Sequence, residues 1–282
     1  MKKKIEQAKL LLDALPYIKK FKNEIFVIKY GGSAQINQEL KDRFAQDIIM
    51  LYMVGIKPVI VHGGGNKINS ILEKMQIKSE FVDGLRVTTA QVMEVVEMVL
   101  AGNINKEITS LLNFHGAKAL GITGKDANFI TAIPKANGKY GLVGEIINID
   151  SSVIDNLLSE KFIPVIAPIA AGTNPNDPGF NINADLAASK IAAELKARKI
   201  IFLTDITGVL DKDKNLLSTL TKESIARYKD DKTIVGGMIP KVDACLEAVD
   251  GGVEKAHIID GRVQHSILLE VFTSEGIGTV IR

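Results

Sequence analysis

An α/β fold with a largely parallel central sheet is predicted, on three observations. Short apolar runs recur along the chain: Phe26-Val27-Ile28, Lys57-Pro58-Val59-Ile60-Val61, Phe162 to Ile166, Ile200 to Leu203 and Glu254 to Ile259. Runs of this kind read as strands buried on both faces. Segments of helical periodicity lie between them in both halves of the chain, the pattern of parallel strands joined by crossover helices. Several strands end directly in glycines and then a helix, at Gly31-Gly32 and at Gly63-Gly64-Gly65. In sheets of this type ligands sit beyond the carboxyl ends of the strands.

The composition sets bounds. With 282 residues, 46% of them hydrophobic, the chain has ample material for a large core in one or two domains. A formal net charge of +2 gives no argument for nucleic acid or for a membrane surface. Cys245 is the only cysteine, so no internal disulfide forms; it reads as a small packing residue. No apolar run approaches a membrane span, and the basic start Met1-Lys2-Lys3-Lys4 leads into a charged helical pattern instead of a signal-peptide core. A cytoplasmic location is the expectation.

Taken in order, Ile5, Ala8, Leu11 or Leu12, Leu15 and Ile18 make one face of an amphipathic helix, with Pro16 as a break or kink. It either packs on its own domain or docks on another subunit. After the first strand, 38–54 is helical and ends at Gly55. Helix 66–75 follows the second strand. Residues 81–88 read as a hairpin turning at Asp83-Gly84, with Thr88 or Thr89 capping the next helix. Helices fill 90–100 and 103–114, and 118–122 is a short strand. Hairpins span 129–149 with Asn137-Gly138 as a turn. Ser151 caps a helix to 160, and Pro164 places strand 162–166 at an edge or its own start. The loop Gly172 to Gly179 marks a domain boundary. Helix 186–197, strand 200–203, a turn at 204–209, helix 241–249, strand 254–259 and a closing stretch at 278–281 complete the chain.

Several residues carry chemistry. Lys29 ends the first strand beside Gly31 and Gly32, where backbone N–H groups can cradle a phosphate and the ammonium can offset its charge. The three glycines at 63–65 expose amides at a helix N-terminus, an anion site by geometry and dipole; a plain tight turn is the alternative. His62 fits a satisfied buried histidine. Arg86 can fork onto a carboxylate ligand or serve a structural ion pair. Asn181, Asn183 and Asp185 cluster at a helix start, more polar groups than one cap requires. Gly236-Gly237-Met238 and Lys241 form a third glycine–lysine junction. Lys29, the glycines at 63–65, Asp185 and Asp205 can line one sheet edge. The chain has no GxxxxGK[ST] loop, no protein-kinase loop, no GxGxxG, no HExxH and no cysteine–histidine metal set. Two lysines at glycine turns with an aspartate at a helix start suit phosphoryl transfer, which depends on positioning and charge stabilisation.

These motifs carry a resemblance. Val27-Ile28-Lys29-Tyr30-Gly31-Gly32, Val61-His62-Gly63-Gly64-Gly65, Gly124-Lys125-Asp126, Leu142-Val143-Gly144-Glu145-Ile146, Leu203-Thr204-Asp205-Ile206-Thr207-Gly208-Val209 and Gly236 to Lys241 are similar to the amino-acid kinase family over nearly the whole chain. Gly84-Leu85-Arg86-Val87-Thr88 and Asn181-Ile182-Asn183-Ala184-Asp185 resemble the N-acetylglutamate kinases within it. The resemblance implies a three-layer sandwich of the amino-acid kinase fold. It implies an N-terminal oligomerisation helix (1–24), a lobe for the amino-acid substrate and dimerisation (25–180) and a nucleotide-binding lobe (181–282). ATP, with Mg2+, would phosphorylate the γ-carboxylate of N-acetyl-L-glutamate, the second step of arginine synthesis by the acetylated route. Lys29 and Lys241 would stabilise the transferring group and Asp185 would hold both. Gly64, Gly65, Arg86 and Asn181 would bind the acetylamino acid, Arg86 taking its α-carboxylate. Gly31, Gly32, Thr204, Asp205, Gly208, Val209, Gly236, Gly237 and Met238 would border the nucleotide. No metal-binding side chain is expected. The two-proline loop Thr173 to Pro178 is longer than the family's usual turn, which bears on the placement of Asn181.

The first helix, with Leu15-Pro16-Tyr17-Ile18, resembles that of arginine-inhibited members, in which paired helices join three dimers into a hexamer. Tyr17, Lys196, His257, Glu270 and Gly276 would form the arginine site. Two rivals stay open: a sibling kinase acting on another acyl group, and a catalytically silent sensor on the same fold.

Overall fold

In the computed structural model of the chain, residues 2–35 and 37–282 are described, without the side chains of residues 2–8, 10, 11, 33 and 34. The first half holds α1 (Lys2–Phe21), β1 (Ile25–Tyr30), α2 (Gln38–Met53), β2 (Lys57–His62), α3 (Gly65–Lys74), β3 (Phe81–Val82), β4 (Leu85–Arg86), α4 (Ala90–Glu97), α5 (Asn105–Phe114), β5 (Ala119–Thr123), β6 (Ile130–Pro134) and β7 (Gly144–Ile149). There follow α6 (Ser152–Ser159), β8 (Ile163–Ala167), β9 (Ile169–Ala170), β10 (Phe180–Asn181), α7 (Ala184–Glu194), β11 (Lys199–Thr204), β12 (Thr219–Leu220), α8 (Lys222–Asp230), α9 (Met238–Asp250), β13 (Lys255–Asp260), α10 (Ser266–Phe272) and β14 (Thr279–Ile281).

Among the described residues, eight strands form one sheet in the order β12-β14-β13-β11-β1-β2-β8-β5. Every pairing in it is parallel except β13 with β14. The apolar strands explain the three layers. Along β1, Phe26 and Ile28 point into one core and Val27 into the other; β2 and β11 divide their side chains likewise. Helices α6, α7, α8 and α9 cover the face to which Val27 points, and α2, α3, α4, α5 and α10 the face of Phe26 and Ile28. Each fully buried valine, leucine or isoleucine contributes about 1.5–3 kcal/mol. The chain leaves β1 for β2 on one side, and β11 returns to its other side. The order thus reverses at β1, which opens the crevice where ligands bind.

Several local expectations are corrected and others are narrowed or met. Helix α1 runs on through Pro16, and among its described side chains Tyr17 and Phe21 pack on the core. Leu12 and Leu15 on it are exposed; the expected contacts of Ile5, Ala8 and Leu11 lie outside the described residues. The two helices at 90–114 are continuous, joined by the π-helical turn Met98–Ile104. Ser151 caps nothing with its side chain; Asp150 accepts from Ser152 N at 3.0 Å, because its carboxylate reaches one residue further into the first turn. Asn137-Gly138 lies inside a longer connection in which Ala136 and Asn137 both adopt positive φ. Pro164 sits at the start of β8, and the pairing of β8 with β2 begins only after it. Thr89, not Thr88, caps α4. Helix α9 begins three residues before Lys241, at Met238. Cys245 is fully buried, which pushes its thiol well up and leaves it a packing residue.

Candidate active site

Lys29 is the last-but-one residue of β1, and its ammonium folds back over Gly31. A side chain at Gly31 would meet that ammonium at 2.9 Å, so glycine is what lets the lysine lie across the turn. Lys29 Nζ is 2.8 Å from Asp185 Oδ1, and Lys241 Nζ is 3.5 Å from Asp185 Oδ2. One carboxylate therefore bridges a lysine from the middle strand and a lysine from the first turns of α9. Burial alone would raise the Asp185 carboxyl; the Lys29 and Lys241 ammoniums outweigh it and hold it below its ordinary value. Asn183 caps α7 by accepting from Asp185 N and Leu186 N. That cap accounts for one of the three polar groups at this helix start; Asn181 and Asp185 are released to line the cleft.

The cleft has a volume of about 260 Å³. Lys29, Gly31, Gly32 and Asp185 stand in its wall together with the glycines at 63–65, Arg86 and Asn181. Arg86 is buried. It donates to Ser79 Oγ at 2.7 Å and to Asn69 Oδ1 at 2.6 Å, and it lies 4.6 Å from the Phe81 ring centre. Among the described residues no carboxylate pairs with it. The structural ion pair is absent, and a buried guanidinium held by neutral acceptors keeps its charge for an anion; burial sets its pKa below the ordinary value. Asn181 Nδ2 donates to Thr88 Oγ1 at 3.2 Å, which ties the β9–β10 hairpin to the segment after Arg86. The two-proline loop is closed by Asp177, whose Oδ2 accepts from Asn174 N, and Asn181 still reaches the cleft.

The residues expected around the nucleotide, Gly31 and Gly32 apart, lie at and after the end of β11 and at the start of α9. Thr204 is buried at the end of β11, and Val209 N donates to Thr279 Oγ1 at 2.8 Å. Asp205, Gly236 and Gly237 are exposed, Met238 is half-buried and Gly208 is buried with φ of 149°. Except for Gly31 and Gly32, none of this set lines the cleft.

A second group gathers at the other end of β13. His257 Nδ1 lies 2.6 Å from Glu270 Oε1, and Glu270 Oε2 accepts from Ile277 N at 2.7 Å, beside Gly276. Burial would raise the Glu270 carboxyl, but the His257 hydrogen bond and charge, the Ile277 N–H and the Lys199 charge together outweigh it and hold it below its ordinary value. His257 Nε2 is buried without a hydrogen-bond partner among the described residues. Lys196 is exposed at the end of α7 and is not joined to this group. Lys199 is the cation whose charge acts on Glu270. It lies 5.0 Å from the centre of the Phe21 ring, and burial lowers its pKa to about 8. Sequence reasoning missed Lys199, Ser79 and Asn69. A lysine opening an apolar strand was the one signal available for Lys199.

The amino acid kinase family profile matches residues 24–260. The chain belongs to this family. Acetylglutamate kinase from a Nitratiruptor species is 69% identical over 281 residues, covering 100% of this chain and 99% of its own. Acetylglutamate kinase from Sulfurimonas denitrificans is 62% identical over the same span. Among solved structures, N-acetylglutamate synthase from Neisseria gonorrhoeae, in complex with coenzyme A and N-acetyl-glutamate, superposes with a TM-score of 0.86 at 23% identity. That match covers 97% of this chain but 63% of the synthase, so the chain spans less than two thirds of it. At that identity the likeness concerns the amino acid kinase fold alone. The expectations of this fold, this family and a kinase are met.

Proposed function

We propose that the chain transfers the γ-phosphoryl group of ATP to the γ-carboxylate of N-acetyl-L-glutamate, giving an acyl phosphate and ADP within arginine biosynthesis. The observation that carries the reading is a cleft lined by Lys29, Asp185 and an uncompensated Arg86, with Asp185 bridging Lys29 to Lys241 just outside it. The full-length relatives named acetylglutamate kinase support the choice of acceptor. In this reading Arg86 and Asn181 fix the α-carboxylate and acetylamino group, and Gly64 and Gly65 offer amides to the acceptor. A γ-carboxylate oxygen attacks phosphorus as the bond to the ADP oxygen breaks, and the electron pair leaves with ADP. Lys29 and Lys241 face the charge that spreads over the transferring group, and Asp185 keeps the two ammoniums at fixed positions. No side-chain nucleophile is required.

Thr204 to Val209 and Gly236 to Met238 take the nucleotide side, at the ends of β11 and the start of α9. The lobes meet near residue 180. Among the described residues Asp185 is the one carboxylate lining the cleft, and both its oxygens face lysines. Among the described residues no cluster forms a resident metal site, so Mg2+ would enter on the nucleotide's phosphates. Among the described residues no helix is long and apolar enough to cross a membrane. A cytoplasmic location is part of the proposal.

Arginine is proposed as a feedback inhibitor at the His257–Glu270–Gly276 group, with Tyr17 closing the site and Lys199 placed better than Lys196 to meet a carboxylate. The partnerless His257 Nε2 and the shared Glu270 carboxylate support a ligand there. The exposed Leu12 and Leu15 support α1 as an arm between dimers in a hexamer. An ADP-release assay over N-acetylglutamate, aspartate and other acyl acceptors tests the activity. Turnover with another acceptor alone would transfer the assignment to a sibling kinase, and no turnover at all would favour the sensor. Deleting residues 1–22 should give active dimers with weakened arginine inhibition. Sedimentation of the full chain as a dimer that stays fully active in saturating arginine would refute the regulatory part only.

A further inference from the structure

The Gly63 carbonyl is held from two directions. His62 Nδ1 lies 3.0 Å from it and Gln35 Nε2 3.3 Å. A carbonyl only accepts, so His62 Nδ1 carries the ring proton. Nε2 is then the acceptor, and Asn105 Nδ2 donates to it at 3.2 Å. The same Asn105 amide donates to Val165 O at 2.8 Å, which anchors the imidazole to the sheet. Gln35 also donates to Tyr30 O at 3.1 Å, and Gly63 N donates to that carbonyl at 2.9 Å. The glycine turns after β1 and β2 are thereby tied through the backbone of Gly63. Burial lowers the His62 pKa to about 4, so the ring keeps this single-proton form at neutral pH.

The direction of this clamp matters. A trans peptide points its C=O and N–H opposite ways. Gly64 lines the catalytic cleft and Gln35 does not, although both border the neighbouring cavity. Drawing the Gly63 oxygen toward Gln35 therefore aims the Gly64 N–H away from Gln35. Gly64 directly precedes α3, whose leading N–H groups have no intrahelical acceptor.

We propose that His62 and Gln35 are positioning residues for the transfer step: they lock the Gly63–Gly64 peptide so that the Gly64 N–H meets the acceptor's carboxylate oxygen. This rests on the kinase reading above. Turnover of N-acetylglutamate by the unaltered chain is therefore measured first, and its absence would overturn that reading instead.

Three variants then test the clamp. His62→Asn puts an amide donor near the Nδ1 position and should keep most of the kcat/KM for the acceptor. His62→Gln reaches Asn105 but cannot donate to Gly63 O. Losing an aimed donor outright costs about 100- to 1000-fold, so misaiming it should lower the acceptor kcat/KM about 10- to 100-fold, with the ATP KM within about twofold. Gln35→Met should shift the same parameter less, about 3- to 10-fold, because the His62 bond remains. Equal activity of the Asn and Gln variants overturns the proposal, as does a Gln35→Met variant that changes both KM values alike. Should both His62 variants fail to fold, Gln35→Met decides: an unchanged acceptor kcat/KM refutes the clamp.

Discussion

Asp185→Asn is the sharpest test of the site. The substitution keeps the shape of the side chain and removes one charge. Two unit charges at 2.8 Å and 3.5 Å attract by roughly 6 and 5 kcal/mol at an effective dielectric constant of about 20. Desolvation of three partly or fully buried charges offsets much of this, so the gross figures do not measure the effect on rate. Ordering is the better guide. Without the carboxylate, two long side chains regain rotamer freedom worth about 1.5–2 kcal/mol each. Re-ordering both at the transition state then costs about 3–4 kcal/mol, or roughly 100- to 1000-fold in kcat. The fold should survive, because the α7 cap is Asn183 and not Asp185. Steady-state kcat from ADP release, with a thermal melt as control, reads the outcome. A variant within tenfold of the parent kcat would show that the lysines are held by something else, and the bridging role would fail.

Arg86→Lys should raise the acceptor KM about 10- to 150-fold, the equivalent of losing a charged hydrogen bond of about 1.5–3 kcal/mol, with ATP binding nearly unchanged. Equal losses in both titrations would make Arg86 structural. A methyl at Gly64 would overlap Ile104 and Leu100. Gly64→Ala should therefore destabilise by about 1–3 kcal/mol and impair the acceptor site, as melting and acceptor KM together would report. His62 gives the pH dependence. Its folded pKa of about 4 lies below the ordinary 6.5, so the unfolded chain takes up the proton first. Its contribution is full above about pH 6.5 and is lost as pH falls toward 4, by roughly 3 kcal/mol in all. Melts from pH 7 to 4.5 should show this decline, and His62→Asn should flatten it.

Much of the site was legible in the chain because its pieces are local. Lys29 with Gly31, the three glycines after His62, and Asn181 with Asp185 each lie within one strand–turn–helix junction. Apolar periodicity places such junctions at strand ends whatever the rest of the molecule does. The order of strands was not legible. Only the sheet, with β11 beside β1, brings the three junctions to one edge.

By itself the sequence determined the α/β class, the buried strands, the glycine turns and the residue types for phosphoryl transfer, since these follow from side-chain period and backbone freedom. The tertiary structure decided the partners. It gave Arg86 neutral acceptors in place of a carboxylate, set Lys199 instead of Lys196 near Glu270, and continued the chain through 98–104 as a π-helical turn. Partner choice depends on which side chains distant segments bring within about 3 Å, where a hydrogen bond either forms or does not. That distance is set by the packing of whole layers, which no local pattern encodes.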